Sequence, residues 1–100
     1  MSHKYTLIVY TSPADGREEE YHAWYDDIHL PEFSALPGVI NGRRFKVAGD
    51  GNPRYAALYE LSAHPDEVMA AMNAGIKDGS VRMSDAVDGA SVSMTTLEPR

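Results

Sequence analysis

Val39-Ile-Asn-Gly-Arg-Arg-Phe-Lys-Val47, Ala48-Gly-Asp-Gly-Asn-Pro53 and Arg54-Tyr-Ala-Ala-Leu-Tyr-Glu-Leu61 follow one another without interruption. Two runs rich in β-branched and aromatic residues flank a cluster of Gly, Asp, Asn and Pro, the pattern of antiparallel strands joined by a hairpin. Upstream, Leu36-Pro-Gly38 is a turn, and Tyr5 to Thr11 reads as a further strand. Between them, after the turn cluster Ser12–Gly16, a helix is predicted from Gly16 to His29. Asp15 and Glu18 have capping-box spacing, and Glu18-Glu19-Glu20 put negative charge at the positive end of the helix dipole. Pro31 is predicted to end that helix, because its ring would clash with the Asp27 carbonyl. Downstream, Pro65 opens a second helix behind His64 at a cap position, with Val68, Met69, Met72 and Ile76 as its apolar stripe. Lys77–Gly89 is polar and broken by glycines, so a loop is expected, with one helical turn around Arg82–Ala86. Ala90–Leu97 is the last strand, and Glu98–Arg100 a frayed end.

The order β-α-β-β-α-β is the ferredoxin-like split βαβ pattern: an α+β fold with a four-stranded antiparallel sheet and both helices on one face. Alternation assigns Tyr5, Leu7, Val9, Phe45, Val47, Tyr55, Ala57, Tyr59, Leu61, Val92 and Met94 to the helix-facing side. The other side receives Thr6, Ile8, Tyr10, Ile40, Arg44, Ala56, Leu58, Glu60, Ser91, Ser93 and Thr95. That side is too apolar in its middle to sit bare in water, and pairing with a second copy of the chain resolves it.

The 100 residues are enough for one domain, residues 1–100, with a lean core that makes oligomerisation a natural source of further burial. Lys+Arg 9 against Asp+Glu 15 gives a net charge of −6, which argues against nucleic acid and anionic membrane as partners. With Cys 0, disulfides, thiolate nucleophiles and Cys-ligated metals are excluded. No apolar run has transmembrane length, the hydrophobic run Tyr5–Tyr10 is too short for a signal peptide, and a cytoplasmic location is expected.

Tyr21-His-Ala-Trp-Tyr-Asp-Asp-Ile-His-Leu-Pro31, Leu36-Pro-Gly38, Arg43-Arg-Phe45 and Arg54–Leu61 together resemble the dimeric α+β barrel superfamily, in particular its EthD-like branch. The resemblance covers residues 21–45 best and continues through the third strand; the glycine-rich, acidic segment Lys77–Gly89 departs from it. It implies a pocket inside each subunit between the helices and the sheet, where Trp24 and His29 face Tyr5, Asn41, Arg43, Tyr55 and Tyr59. Function is far less constrained, because the fold hosts monooxygenases without cofactors, cyclases, isomerases, haem-handling enzymes and members without known activity.

His29 is the foremost candidate for chemistry. As the last residue of a helix it would be favoured as imidazolium by the dipole, with Asp26 three residues back to orient it, which suits a general acid/base. The alternative is a histidine that only caps carbonyls. His22, Asp26 and His29 stand at i, i+4 and i+7, a spacing for metal ligands, but no fourth ligand is evident and no metal is assigned. His3 lies near the chain's start. Tyr55 and Tyr59 share a strand face and either polarise a substrate carbonyl or fill the core. Arg43, on the apolar parity, needs a carboxylate or an anionic ligand, unless it reaches water at the strand end. No phosphate-binding loop and no Gly-x-Ser-x-Gly elbow is present.

The combination points to a small enzyme without a bound cofactor that acts by proton transfer on a compact apolar or aromatic carbonyl compound. Its catalytic set is His29, Tyr59 and Asp26, and its binding set Trp24, Tyr5, Asn41, Arg43 and Tyr55. The alternatives are a non-catalytic ligand-binding homodimer and a haem-handling protein with a histidine axial ligand.

Overall fold

The computed structural model describes residues 4–100, so the readings that fall on Met1–His3 lie outside the described residues. The strands β1 (Tyr5–Thr11), β2 (Val39–Lys46), β3 (Tyr55–Leu61) and β4 (Ser93–Leu97) form one antiparallel sheet in the order β2-β3-β1-β4. Register places Leu7 opposite Tyr59 and Val9 opposite both Ala57 and Met94. Leu7, Ala57 and Tyr59, with Val9 packed against them, meet Tyr21, Trp24, Tyr25 and Phe33 of the first helical stretch and Val68 of the second in a single core cluster. The element order and the helix-facing parity of β1, β3 and β4 are those expected from alternation.

β2 departs from its expected parity. A register shift falls between Val39, opposite Leu61, and Asn41, opposite Glu60. Beyond it Arg43 lies opposite Leu58, Arg44 opposite Ala57 and Phe45 opposite Ala56. An extra residue in one strand exchanges its two faces. Asn41, Arg43 and Phe45 therefore lie on the side away from the helices, and Gly42 and Arg44 lie beneath the helices, the reverse of the sequence assignment.

The first helix also differs. It begins at Glu18, capped by Arg17 with no side-chain hydrogen bond, so Asp15 makes no capping box. It then runs as α1 (Glu18–Trp24), a π-helical turn (Tyr25–His29) and α2 (Leu30–Ser34), straight through Pro31. The π turn resolves the proline conflict. The Leu30 amide reaches back five residues to the Tyr25 carbonyl, and the widened turn makes room where a proline ring would strike an α-helical carbonyl.

The second helix, α3 (Pro65–Asp78), has the expected His64 cap, whose Nδ1 accepts from the Asp66 amide at 3.1 Å. It ends at Gly79 in the left-handed region, φ 87°. Buried Gly75 allows the chain to fold back: a Cβ there would lie 2.5 Å from Val81 Cγ2. The following segment is irregular, with no helical turn at Arg82–Ala86, and a 3-10 turn at Gly89–Ser91 shortens β4 to Ser93–Leu97. Among the described residues no helix is long and apolar enough to cross a membrane.

Candidate functional site

A cavity of about 240 Å³ lies between the sheet and the helices, as the resemblance implies. Val9, Tyr59 and Met94 supply the sheet wall; Trp24, Tyr25, His29 and Phe33 the first helix; Met69 and Met72 α3. The segment after α3 closes the remaining side with Met83, Ser84, Val87 and Val92. All four methionines beyond Met1 line this one space. Thioether side chains are unbranched and polarisable, so this wall can adapt its shape.

The π turn builds the centre of the site. In an α-helix, residues three and four apart are neighbours; the i→i+5 hydrogen bond of the π turn instead brings residues five apart together. Trp24 and His29 are five apart, and their rings stack at 4.6 Å between centroids with planes 18° from parallel. Tyr25 meets the imidazole edge-on at 5.2 Å. The indole is held in place by its Nε1–H, which donates to the Arg82 carbonyl at 3.1 Å. His29 is 8% exposed, and its Nδ1 is buried without a hydrogen-bond partner. Burial pulls the imidazole pKa down to about 4, with the Glu32 carboxylate acting weakly in the opposite direction. His29 is therefore neutral at neutral pH. The helix continues past it, so the helix-end charge expected to favour imidazolium is not there.

Tyr59 is 1% exposed and its hydroxyl makes no well-formed hydrogen bond. Burial raises its pKa far above the usual phenol value, and the neighbouring Tyr25 hydroxyl raises it further. Tyr25 itself is pushed up to about 12 by burial. Both keep their protons and act as neutral hydrogen-bond groups.

Behind these phenols stands Arg44. Its guanidinium carbon sits 4.3 Å from the Tyr25 ring centroid and 5.2 Å from that of Tyr21. Its Nη1 donates to Asp26 Oδ1 at 2.8 Å and contacts His22 Nδ1 at 3.2 Å, and its Nε is buried without a partner.

Of the residues named from sequence, Trp24, His29 and Tyr59 converge on the cavity. Asp26 does not orient His29; the π turn carries the two apart and Asp26 pairs with Arg44. Tyr5 lies away from the cavity, edge-on to His64 at 5.3 Å, beside a second hollow formed with Asp66, Thr96 and Glu98. Tyr55 donates to Glu18 at 3.1 Å and packs on His22. Asn41 and Arg43 fall on the opposite side of the sheet. His22 and Asp26 face Arg44 while His29 faces Trp24, so the metal spacing does not become a cluster, and no such cluster occurs among the described residues. Tyr25, Phe33 and Arg44 were not among the site residues expected from sequence; Met69 and Met72 were legible as a helix stripe and Met94 as a helix-facing strand residue.

No protein-family model and no curated protein matches the chain. Solved structures do. An ethyl tert-butyl ether D (EthD) family protein from Bacillus halodurans C-125 superposes with a TM-score of 0.63 at 15% identity, covering 97% of this chain and 99% of that one. The haem degrader MhuD of Mycobacterium tuberculosis, with two haems in its active site, gives 0.64 at 17% identity, covering 95% and 94%. A MhuD variant with two manganese protoporphyrins IX per active site gives 0.66 at 17% identity over 95% and 93%. The chain has the dimeric α+β barrel fold, in the form seen in EthD and MhuD structures.

Proposed function

We propose that the cavity binds a compact, flat carbonyl compound and that His29 and Tyr59 move a proton on it. One observation carries this reading: the wall of an apolar cavity holds two buried polar atoms, His29 Nδ1 and the Tyr59 hydroxyl, that make no well-formed hydrogen bond, the hydroxyl having only that of Tyr25 beside it. Buried polar groups are nearly always paired, and unpaired ones at a pocket are candidates for ligand contact. The volume sets the guest's size. A cavity of roughly 150 Å³ holds benzene, and drug-sized molecules occupy roughly 300–1,000 Å³. At about 240 Å³ the space suits one substituted ring or two fused ones. A four-pyrrole macrocycle such as the haem of MhuD is larger than this volume.

The chemistry follows from protonation states. Neutral His29 accepts a proton from carbon next to the carbonyl, and the Tyr59 hydroxyl donates to the oxygen as negative charge develops there. Trp24 offers a flat face, and Glu32 favours the imidazolium once formed. Asp26 contributes only through Arg44, behind the phenols. The active unit is a homodimer joined through the sheet side away from the helices.

2-Tetralone in D₂O tests the reading, with loss of the α-proton signals followed by NMR. The protein is expected to accelerate exchange. His29→Gln is expected to bind but lose the acceleration, and Tyr59→Phe to lower it by roughly 10²-fold. Binding without exchange favours a non-catalytic carrier of the same ligand; exchange no faster than in buffer, without binding, overturns the proposal.

A further inference from the structure

We propose that the four residues Arg82–Asp85 form a flap over the cavity, and that the Glu32–Arg82 contact is the clasp that holds it shut and Trp24 in place. The flap lies between two anchors, Val81, 3% exposed against Gly75, and Ala86, fully buried. Main-chain hydrogen bonds fix both anchors: Val81 N–H to the Gly75 carbonyl at 3.0 Å, and Ala14 N–H to the Ala86 carbonyl at 2.7 Å. The span between them is attached differently. Its ties to the first helix run through three side chains.

Glu32 receives the Arg82 amide at 2.7 Å on one carboxylate oxygen and Arg82 Nε at 2.8 Å on the other. Arg17, at the start of α1, donates to the Asp85 carbonyl at 3.1 Å and to its carboxylate at 2.7 Å. Trp24 donates to the Arg82 carbonyl. Met83 and Ser84, held between the two clasps, are cavity wall. The Met83 side chain is half in solvent, so it spans the distance from the cavity to the surface. Side-chain ties at a solvated edge break far more readily than a paired strand, so this span opens while its anchors stay fixed.

Arg82 is thus a positioning residue. Its carbonyl holds the indole on which His29 is stacked, and its amide and guanidinium join the flap to the residue three positions after His29. Opening the clasp releases the cavity wall and the Trp24 tether together. The flap rests on the proposed ligand pocket only for the last arm of its test.

The chain's single tryptophan and the Arg82–Met83 bond report on opening directly. Glu32→Ala and, separately, Asp85→Ala are expected to raise acrylamide quenching of Trp24 and the rate of tryptic cleavage after Arg82, each by about ten-fold for Glu32→Ala. Glu32→Gln, which retains an acceptor for the Arg82 amide, is expected to fall between parent and Glu32→Ala. Cleavage after Arg44 and Lys46 in β2 reports on global unfolding and is expected to stay at the parental level. Parental quenching and cleavage in both alanine variants overturn the flap, and so does cleavage that rises equally in β2. With 2-tetralone, Glu32→Ala is expected to speed association and dissociation alike while changing Kd little. Failure of 2-tetralone to bind any form removes the proposed function and leaves the quenching and cleavage results to decide the flap.

Discussion

His29 is neutral because burial penalises its charged form, and that neutrality gives a definite pH signature. Its folded pKa, about 4, lies below the ordinary 6.5, so the unfolded chain binds the proton more tightly. The stabilisation is complete above about pH 6.5 and is lost as pH falls from there toward 4. Between pH 7 and 5 the parent is expected to lose about 2 kcal/mol more stability than His29→Gln, whose side chain cannot ionise. Urea unfolding of both proteins at the two pH values measures this; equal losses would place His29 in contact with solvent. Glu32 shifts in the same site for a separate reason: the Arg82 amide, then its guanidinium, hold the carboxylate below its usual range. Arg44 shows how little a residue's type says about its place. Arg43 and Arg44 are adjacent and identical, and the strand register alone sends one outward and the other beneath three tyrosines.

The first helix and β2 are fitted to each other at Gly42. A Cβ at that position would lie 2.6 Å from Tyr59 Cδ1, 2.7 Å from Cε1 and 2.9 Å from Ser34 Oγ. The Tyr59 ring lies against bare backbone, with Phe33 at 4.3 Å on its other side. Gly42→Ala is therefore expected to cost about 1–3 kcal/mol, because the ring or α2 must move. Denaturant unfolding measures the loss, and the α-exchange rate with 2-tetralone should fall with it, since the displaced ring carries the proposed donor. A stability unchanged within about 0.5 kcal/mol would show that α2 yields without strain. The π turn is the other fitted element. Without it Pro31 would end the helix, Phe33 would not reach the core, and Trp24 and His29 would point apart.

Across the whole molecule, the sheet's second side asks for a partner. Ile8 lies opposite Leu58, Phe45 opposite Ala56 and Thr6 opposite Leu97, so each of the four strands sets apolar side chains on this side, among Asn41, Arg43, Glu60 and Thr95. Phe45 is 45% exposed and Leu97 50%. A bare patch of this kind on a small protein marks an interaction surface. Light scattering at micromolar concentration is expected to give twice the 11.0 kDa chain mass. Leu58→Lys, which buries an unpaired charge in the middle of the contact, is expected to weaken association by about 3–5 kcal/mol and give the monomer. A native mass of 11.0 kDa would refute the dimer.

The alternation of Tyr5–Thr11 and Tyr55–Leu61, the Gly/Asn/Pro turn between β2 and β3, and the His64–Pro65 helix start were enough to specify the element order and the helix-facing side of three strands. Those signals are local, carried by side-chain period and backbone preference, and so they can be read along the chain. The bulge at Val39–Asn41, the π turn over Tyr25–His29 and the course of Arg82–Asp85 are not local. Each is a compromise between distant partners: Arg44 with Asp26, Trp24 with the Arg82 carbonyl, and Glu32 with the Arg82 amide and guanidinium. Residues 18 to 58 positions apart make these contacts, and no window of sequence contains both members. His29, Trp24 and Tyr59 could be picked out by type. Their convergence, and the burial that holds His29 in its neutral form, arise only when the helix, the sheet and the segment after α3 come together around them.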